Sequence, residues 1–122
     1  IRERHALPNA DAYPAAIAGL NLDLALLPAA DNLFNACKSN INLLQLGSCG
    51  VPVVCSDVRA YEGPFQVTRV ADSLSAWIGA IRLHTQDPAF ARLSGDRLRE
   101  QVLRDGMLDD AALQSWQSAW LR

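Results

Sequence analysis

Lys38-Ser39-Asn40 stands where a polar loop runs into an apolar, helix-periodic segment, and that placement suits an anion. The first turn of a helix carries unsatisfied N–H groups and a partial positive charge. Phosphate binds well at such an end. Lys38 would add an ammonium and Ser39 a hydroxyl donor. Asn35, in the loop ahead, and Gln45, within the segment, are neutral hydrogen-bonding residues on either side of this start. Each residue also has a plain reading: Lys38 as a solvated residue, Ser39 as a helix cap, Gln45 as an ordinary polar helix position. Other reactive side chains form no pattern. Cys37, Cys49 and Cys55 lack the close spacing of a zinc site and read as reduced, mostly buried thiols. His5 and His84 have no carboxylate or cysteine pattern near them and are expected at the surface. Asp31 and Asp57 read as solvated loop acids.

The elements that must position these residues alternate along the chain. Asn9 to Leu20 reads as a helix, with Asn9 as a cap or Pro14 in its first turn. Leu22 to Leu27 is a short apolar run ended by Pro28, the length of a buried strand. Ala29 to Asn35 reads as a loop. Lys38 to Cys49 reads as a helix stopped by Gly50. Val51 to Cys55 is β-branched and almost wholly apolar, which predicts a central parallel strand buried on both faces and paired with Leu22–Leu27. Pro52 is tolerated near its start. Ser56 to Pro64 is a loop, and Phe65 to Val70 alternates like a half-buried strand. Three helices follow. The first is capped by Asp72 or Ser73, with Leu74, Trp77, Ile78, Ile81 and Leu83 on its apolar side. The second starts near Pro88 and carries Phe90, Leu93, Leu98, Val102 and Leu103. The third starts near Asp109, with Leu113, Trp116, Trp120 and Leu121 at helical spacing; its two tryptophans, four apart, form a same-face pair expected in the core, with an interdomain contact as the alternative.

Strands separated by helices predict an α/β fold with a parallel sheet. Three strands are few for such a layer, where about 4–6 is usual, so the sheet is expected to be incomplete: another chain completes it, or an upstream half of the domain precedes Ile1. An open sheet edge pairs, so self-association is expected. The 122 residues suffice for one core, with roughly two-thirds of the unfolded chain's surface buried. Half the residues are hydrophobic, one-fifth are charged, and the net charge is −2. That balance carries no basic footprint for nucleic acid or anionic lipid. No run reaches the roughly 18 apolar residues of a membrane span, and no targeting segment is visible, so a cytoplasmic location is expected.

From Leu22 to Tyr61 the chain resembles the group 1 glycosyltransferases of the GT-B fold. The matching pieces are a strand of the pattern x-Asp-x-x-Leu-x-Pro (Leu22–Pro28), a Lys-Ser helix start (Lys38-Ser39), and Gln45-Leu46-Gly47-Ser48-Cys49-Gly50-Val51-Pro52-Val53-Val54 where the family has Glu-x-x-x-x-Gly-x-Pro-Val-Val. Ser56-Asp57-Val58 followed by Tyr61 matches one branch. The resemblance implies a Rossmann-like three-layer domain, here residues 1–122 as one partial C-terminal domain. It implies a nucleotide-sugar donor bound by Asn35, Lys38, Ser39, Asn40 and Gln45, and transfer of a hexose to a glycan or lipid-linked acceptor held by a missing N-terminal domain. It implies no metal and no cofactor beyond the nucleotide sugar itself.

The chain departs from the pattern where many members carry two glutamates; it has Cys37 and Gln45. A carboxylate accepts two strong hydrogen bonds from ribose hydroxyls, while an amide offers one weaker acceptor oxygen. Asn42 stands where a basic residue is common. A degenerate, non-catalytic scaffold of the same fold is therefore a second expectation. A flavodoxin-like or receiver-like α/β module is a third, lowered because no strand ends on an acidic pair.

Overall fold

Val53–Ser56 exposes no side chain on either face, and this strand is the axis of the molecule. In the computed structural model, which describes residues 12–107 and 109–120, the elements are α1 (Tyr13–Gly19), β1 (Ala25–Leu27), α2 (Leu33–Ala36), α3 (Ile41–Ser48), β2 (Val53–Ser56), a 3-10 turn (Arg59–Tyr61), β3 (Thr68–Val70), α4 (Leu74–Gln86), α5 (Pro88–Asp105) and α6 (Asp110–Trp120). The sheet is parallel with order β1-β2-β3, and Ala25, Leu26 and Leu27 stand opposite Val53, Val54 and Cys55. The α/β class and the central place of β2 follow the sequence expectation. Pairing starts at Pro52, whose carbonyl accepts the Ala25 N–H at 2.9 Å; proline has no N–H of its own to give.

Both faces of β2 are covered, whereas β1 is shorter than the expected buried run Leu22–Leu27 and leaves Leu26 exposed. Ile17 of α1, Leu43 and Leu46 of α3, and Leu98 and Val102 of α5 pack with Ala25, Val53 and Cys55. On the other face Ala76, Trp77 and Ala80 of α4 pack on Val54 and Val70. The alternation of β2 divides its residues between the two clusters, as the period of a strand requires.

Glycine permits the close approach of α5. A Cβ on Gly95 would run into the Gly50 carbonyl and lie 3.2 Å from Pro52 Cδ; one on Gly47 would lie 2.8 Å from Val102 Cγ2. Gly50 itself holds φ at 73°, the left-handed value that ends α3. Its N–H donates to the Gly47 carbonyl (2.9 Å), and Val51 N–H donates to Leu46 (3.2 Å), the paired bonds of a Schellman ending.

Several boundaries differ from the sequence reading. The helix expected from Lys38 begins at Ile41, because Asn32 starts an earlier turn: its Oδ1 accepts the Asn35 N–H at 2.9 Å, and Leu33–Ala36 is helical where a loop was expected. The expected strand Phe65–Val70 shrinks to Thr68–Val70. Gln101 of α5 takes its place over the first residues, accepting the Gln66 N–H (2.6 Å) and donating to the Pro64 carbonyl (3.1 Å). Ser73, not Asp72, caps α4 through a bond from Ala76 N–H. Ala76 and Ala80 share the sheet side of α4 with Trp77 and His84, and the stripe of Leu74, Ile78 and Leu83 faces outward. In α5 the core takes Ala91, Gly95, Leu98 and Val102, and Leu93 and Leu103 are exposed.

His84 is a correction too. It is buried, and its Nδ1–H donates to the Ala80 carbonyl at 3.0 Å, since a carbonyl can only accept. Nε2 then faces Thr68 Oγ1 at 3.5 Å, and the ring meets Phe90 edge-on at 5.1 Å. Trp116 and Trp120 are not in the core: α6 buries no residue, and these rings are 61% and 78% exposed. Cys37 is exposed, Cys49 half-buried and Cys55 buried. Asn9 and His5 lie outside the described residues. No helix among the described residues is long and apolar enough to cross a membrane.

Two outcomes follow from the packing. Gly95→Ala should destabilise the fold toward the upper end of the about 1–3 kcal/mol of overpacking, because the obstacle is backbone. Gly79→Ala, with open space around the added methyl, should stabilise by about 0.5–1 kcal/mol. Urea unfolding of both variants checks the pair; equal effects would contradict it. Burial raises the Cys55 thiol from 9.0 to about 11, against a smaller opposing pull from Arg69. The folded state therefore holds the proton more tightly than the unfolded chain. That stability is fully present below pH 9.0 and is lost as pH rises toward about 11. The melting temperature of the wild type should fall relative to that of Cys55→Ala across this window. Parallel curves would show that the thiol is not the group responsible.

Candidate functional site

At the carboxyl ends of β1 and β2 two loops face each other. In an open parallel sheet this is the end where ligands collect. The loop after β1 turns at Pro28, and its Ala29 N–H donates to the buried Ser56 Oγ at the end of β2, 2.9 Å away. One hydroxyl thus ties the two loops together. Arg69 of β3 holds the second loop. Its guanidinium donates to the carbonyls of Tyr61 (2.8 and 3.0 Å), Gly63 (3.2 Å) and Phe65 (3.4 Å), so three backbone oxygens of the irregular segment that crosses from β2 to β3 are satisfied by one side chain.

Between the loops lies a cleft of about 220 Å³ lined by Leu27, Pro28, Ala29, Asn35, Lys38, Ser39, Asn42, Ala60 and Tyr61. Three of the five residues expected at the site, Asn35, Lys38 and Ser39, therefore line one cavity. Asn40 and Gln45 are not in the lining. Asn40 is the residue before the first turn of α3 and makes no side-chain cap. Gln45 lies three residues beyond Asn42 and so one turn further along the same helix face. Asn42 and Tyr61 complete the lining.

Local sequence explains the arrangement. Asn32 caps α2 and Asn35 donates from Nδ2 to the Ala30 carbonyl at 2.8 Å, which folds the loop back on itself. The Asn35 carbonyl accepts the Lys38 N–H at 3.1 Å and carries the chain into the cleft. Because the helix begins at Ile41, Lys38 and Ser39 precede it as a polar lip. The Leu44 N–H is the first to find a partner, the Asn40 carbonyl at 3.1 Å. The amides from Ser39 to Asn42 have no acceptor among the described residues. The lining has no carboxylate. A cation, a hydroxyl, two side-chain amides and the unpaired N–H groups of Ser39 and Asn42 are the kinds of group that an anionic, hydrogen-bonding ligand would use. Burial raises the Tyr61 phenol above its ordinary value, with a further contribution from Cys55, so it stands in the wall as a neutral donor.

A larger cavity, about 440 Å³, lies near the amino end of β1, between Leu22–Leu24, Pro52 and the junction of α4 and α5. Its polar groups are Asp23, Arg92, Thr85 and His84, and both His84 nitrogens are already engaged within the fold. It does not gather the convergent donors of the smaller cleft. Among the described residues no group of three or more His, Cys, Asp or Glu side chains could hold a metal ion.

Residue types at the helix start pointed to Lys38 and Ser39. They did not point to Arg69, whose signal is only a charged residue in an alternating apolar strand, nor to Ser56, whose hydroxyl is used across the sheet. No protein-family model matches the chain, and neither a curated protein nor a solved structure matches it.

Proposed function

We propose that the chain is the nucleotide-sugar donor-binding part of a GT-B glycosyltransferase, an incomplete Rossmann-like domain of an enzyme that moves a hexose to a glycan or lipid-linked acceptor. The observation that supports this reading is that Asn35, Lys38, Ser39 and Asn42 line one cleft, the last two with backbone N–H groups that have no acceptor among the described residues. The diphosphate of the donor would lie on the Ser39 and Asn40 amides beside the Lys38 ammonium. Its ribose would extend along α3 past Asn42 toward Gln45. Charge that develops on the diphosphate as the glycosidic bond breaks would then meet fixed donors that need no reorganisation. Acceptor binding and its deprotonation belong, in this reading, to a domain outside the chain, so turnover needs both halves of the cleft.

A second reading is favoured by one specific feature. Gln45 and Cys37 occupy the places of two glutamates, and a neutral amide holds ribose hydroxyls less well than a carboxylate. A non-catalytic domain that keeps the fold as a scaffold would tolerate that loss.

Calorimetric titration of the full-length protein with uridine, guanosine and adenosine diphosphates separates the readings. One of the three should bind. Lys38→Ala should weaken it by about 1.5–3 kcal/mol, the worth of a charged hydrogen bond to phosphate. Gln45→Glu should tighten it and Gln45→Ala should weaken it slightly. Absence of binding by all three, or indifference to both Lys38→Ala and Gln45→Glu, removes the donor-site assignment and leaves the scaffold.

A further inference from the structure

Lys38 is the only lysine in the chain; its other basic side chains are arginines and histidines. Its ammonium lies 4.5 Å from the centroid of the Phe34 ring. No carboxylate among the described residues pairs with it. Phe34 is 73% exposed, so core packing does not account for an aromatic ring at this place. It sits on the one-turn helix α2, four residues before Lys38. That turn is held from both ends: Asn32 caps it, and the Asn35 side chain ties it back to Ala30. The backbone that carries the ring is thus held close to Lys38, which lines the cleft.

An aromatic face and a carboxylate hold a lysine in different ways. A carboxylate cancels the charge and must be displaced before an anion can bind. A ring attracts the cation through its quadrupole and leaves the net charge in place. It also restricts a flexible four-carbon stem whose ordering would otherwise be charged against binding. We infer that Phe34 is a positioning residue: its exposed ring seats the Lys38 ammonium beside the cleft without neutralising it, so that the charge is poised for an anionic ligand. This inference rests on the donor-site reading, because it needs an anion at that cleft.

The test uses the 122-residue chain and inorganic pyrophosphate as the probe, with a spectroscopic readout that needs no ligand. Lysine-selective ¹³C labelling gives one side-chain signal set, that of Lys38. Its ε-methylene protons should be shifted upfield by the ring current, and Phe34→Leu should return them to the random-coil position. In calorimetry Phe34→Leu should weaken pyrophosphate binding by about two- to fivefold, the worth of an exposed cation–ring contact. Phe34→Trp should restore or exceed the wild-type affinity. In a Lys38→Met background Phe34→Leu should change nothing. An equal loss in that background would make Phe34 merely structural and overturn the inference, as would an unshifted ε-methylene in the wild type. A shifted ε-methylene with no pyrophosphate binding by the wild type defeats the donor-site reading, and the inference falls with it because Phe34 then positions nothing.

Discussion

The seat of α5 on the turn between α3 and β2 is the constraint on which the rest of the structure depends. Two backbones meet there with only glycine between them: Gly95 against the Gly50 carbonyl, and Gly47 under Leu98 and Val102. Interiors are packed at crystal-like density, so a contact of this kind has one geometry rather than a range. It fixes the direction in which α3 leaves the sheet. The free amino end of α3 is thereby held at the carboxyl end of β1, and the same turn delivers Val51 and Pro52 into the central strand. The position of the cleft is in this sense a consequence of helix packing on the opposite side of Gly50.

The cleft itself is made by tying loops rather than by adding secondary structure. Ser56 joins the loop after β1 to the end of β2, and Arg69 gathers the carbonyls of the loop after β2. Buried or half-buried polar side chains used in this way satisfy backbone groups that would otherwise be costly to bring out of water. The result is a wall with donors on one side, at Lys38, Ser39 and the first amides of α3, and no acid in the lining. The lining joins one side-chain charge, that of Lys38, to backbone N–H groups, in a chain whose net charge is −2.

Much of this was legible in the chain, and the failures have physical causes. Val51 to Cys55 announced a strand buried on both faces because β-branched residues without alternation have few other uses, and β2 is that strand. Gly50 announced the end of α3, and Pro14 and Pro88 stand in the first turns of their helices. Lys38 and Ser39 precede the apolar period, which predicts a helix start at that point. The competing signal was Asn32, whose side chain caps an earlier turn and defers the helix to Ile41. A lone histidine carries no partner in sequence, so the sequence places His84 at the surface, while the fold buries it. The i, i+4, i+8 spacing of Ala76, Ala80 and His84 places the histidine on the side of α4 that meets the sheet. Trp116 and Trp120 share a helix face as their spacing requires, but spacing alone does not say what covers that face, and within the described residues they are exposed. The shortening of β3 was invisible because the competitor, Gln101, comes from a helix thirty-five residues away.

The central claim is that the start of α3 and the two tied loops form one anion site. Amide chemical-shift mapping of the ¹⁵N-labelled chain during titration with a nucleoside diphosphate tests it most directly. The account predicts saturable shifts concentrated at Ala29, Lys38 to Asn42 and Tyr61, with little change in Leu22 to Leu24 or around His84. Shifts confined to the larger cavity at Leu22, His84 and Arg92, or no saturable shift at any amide, would contradict it.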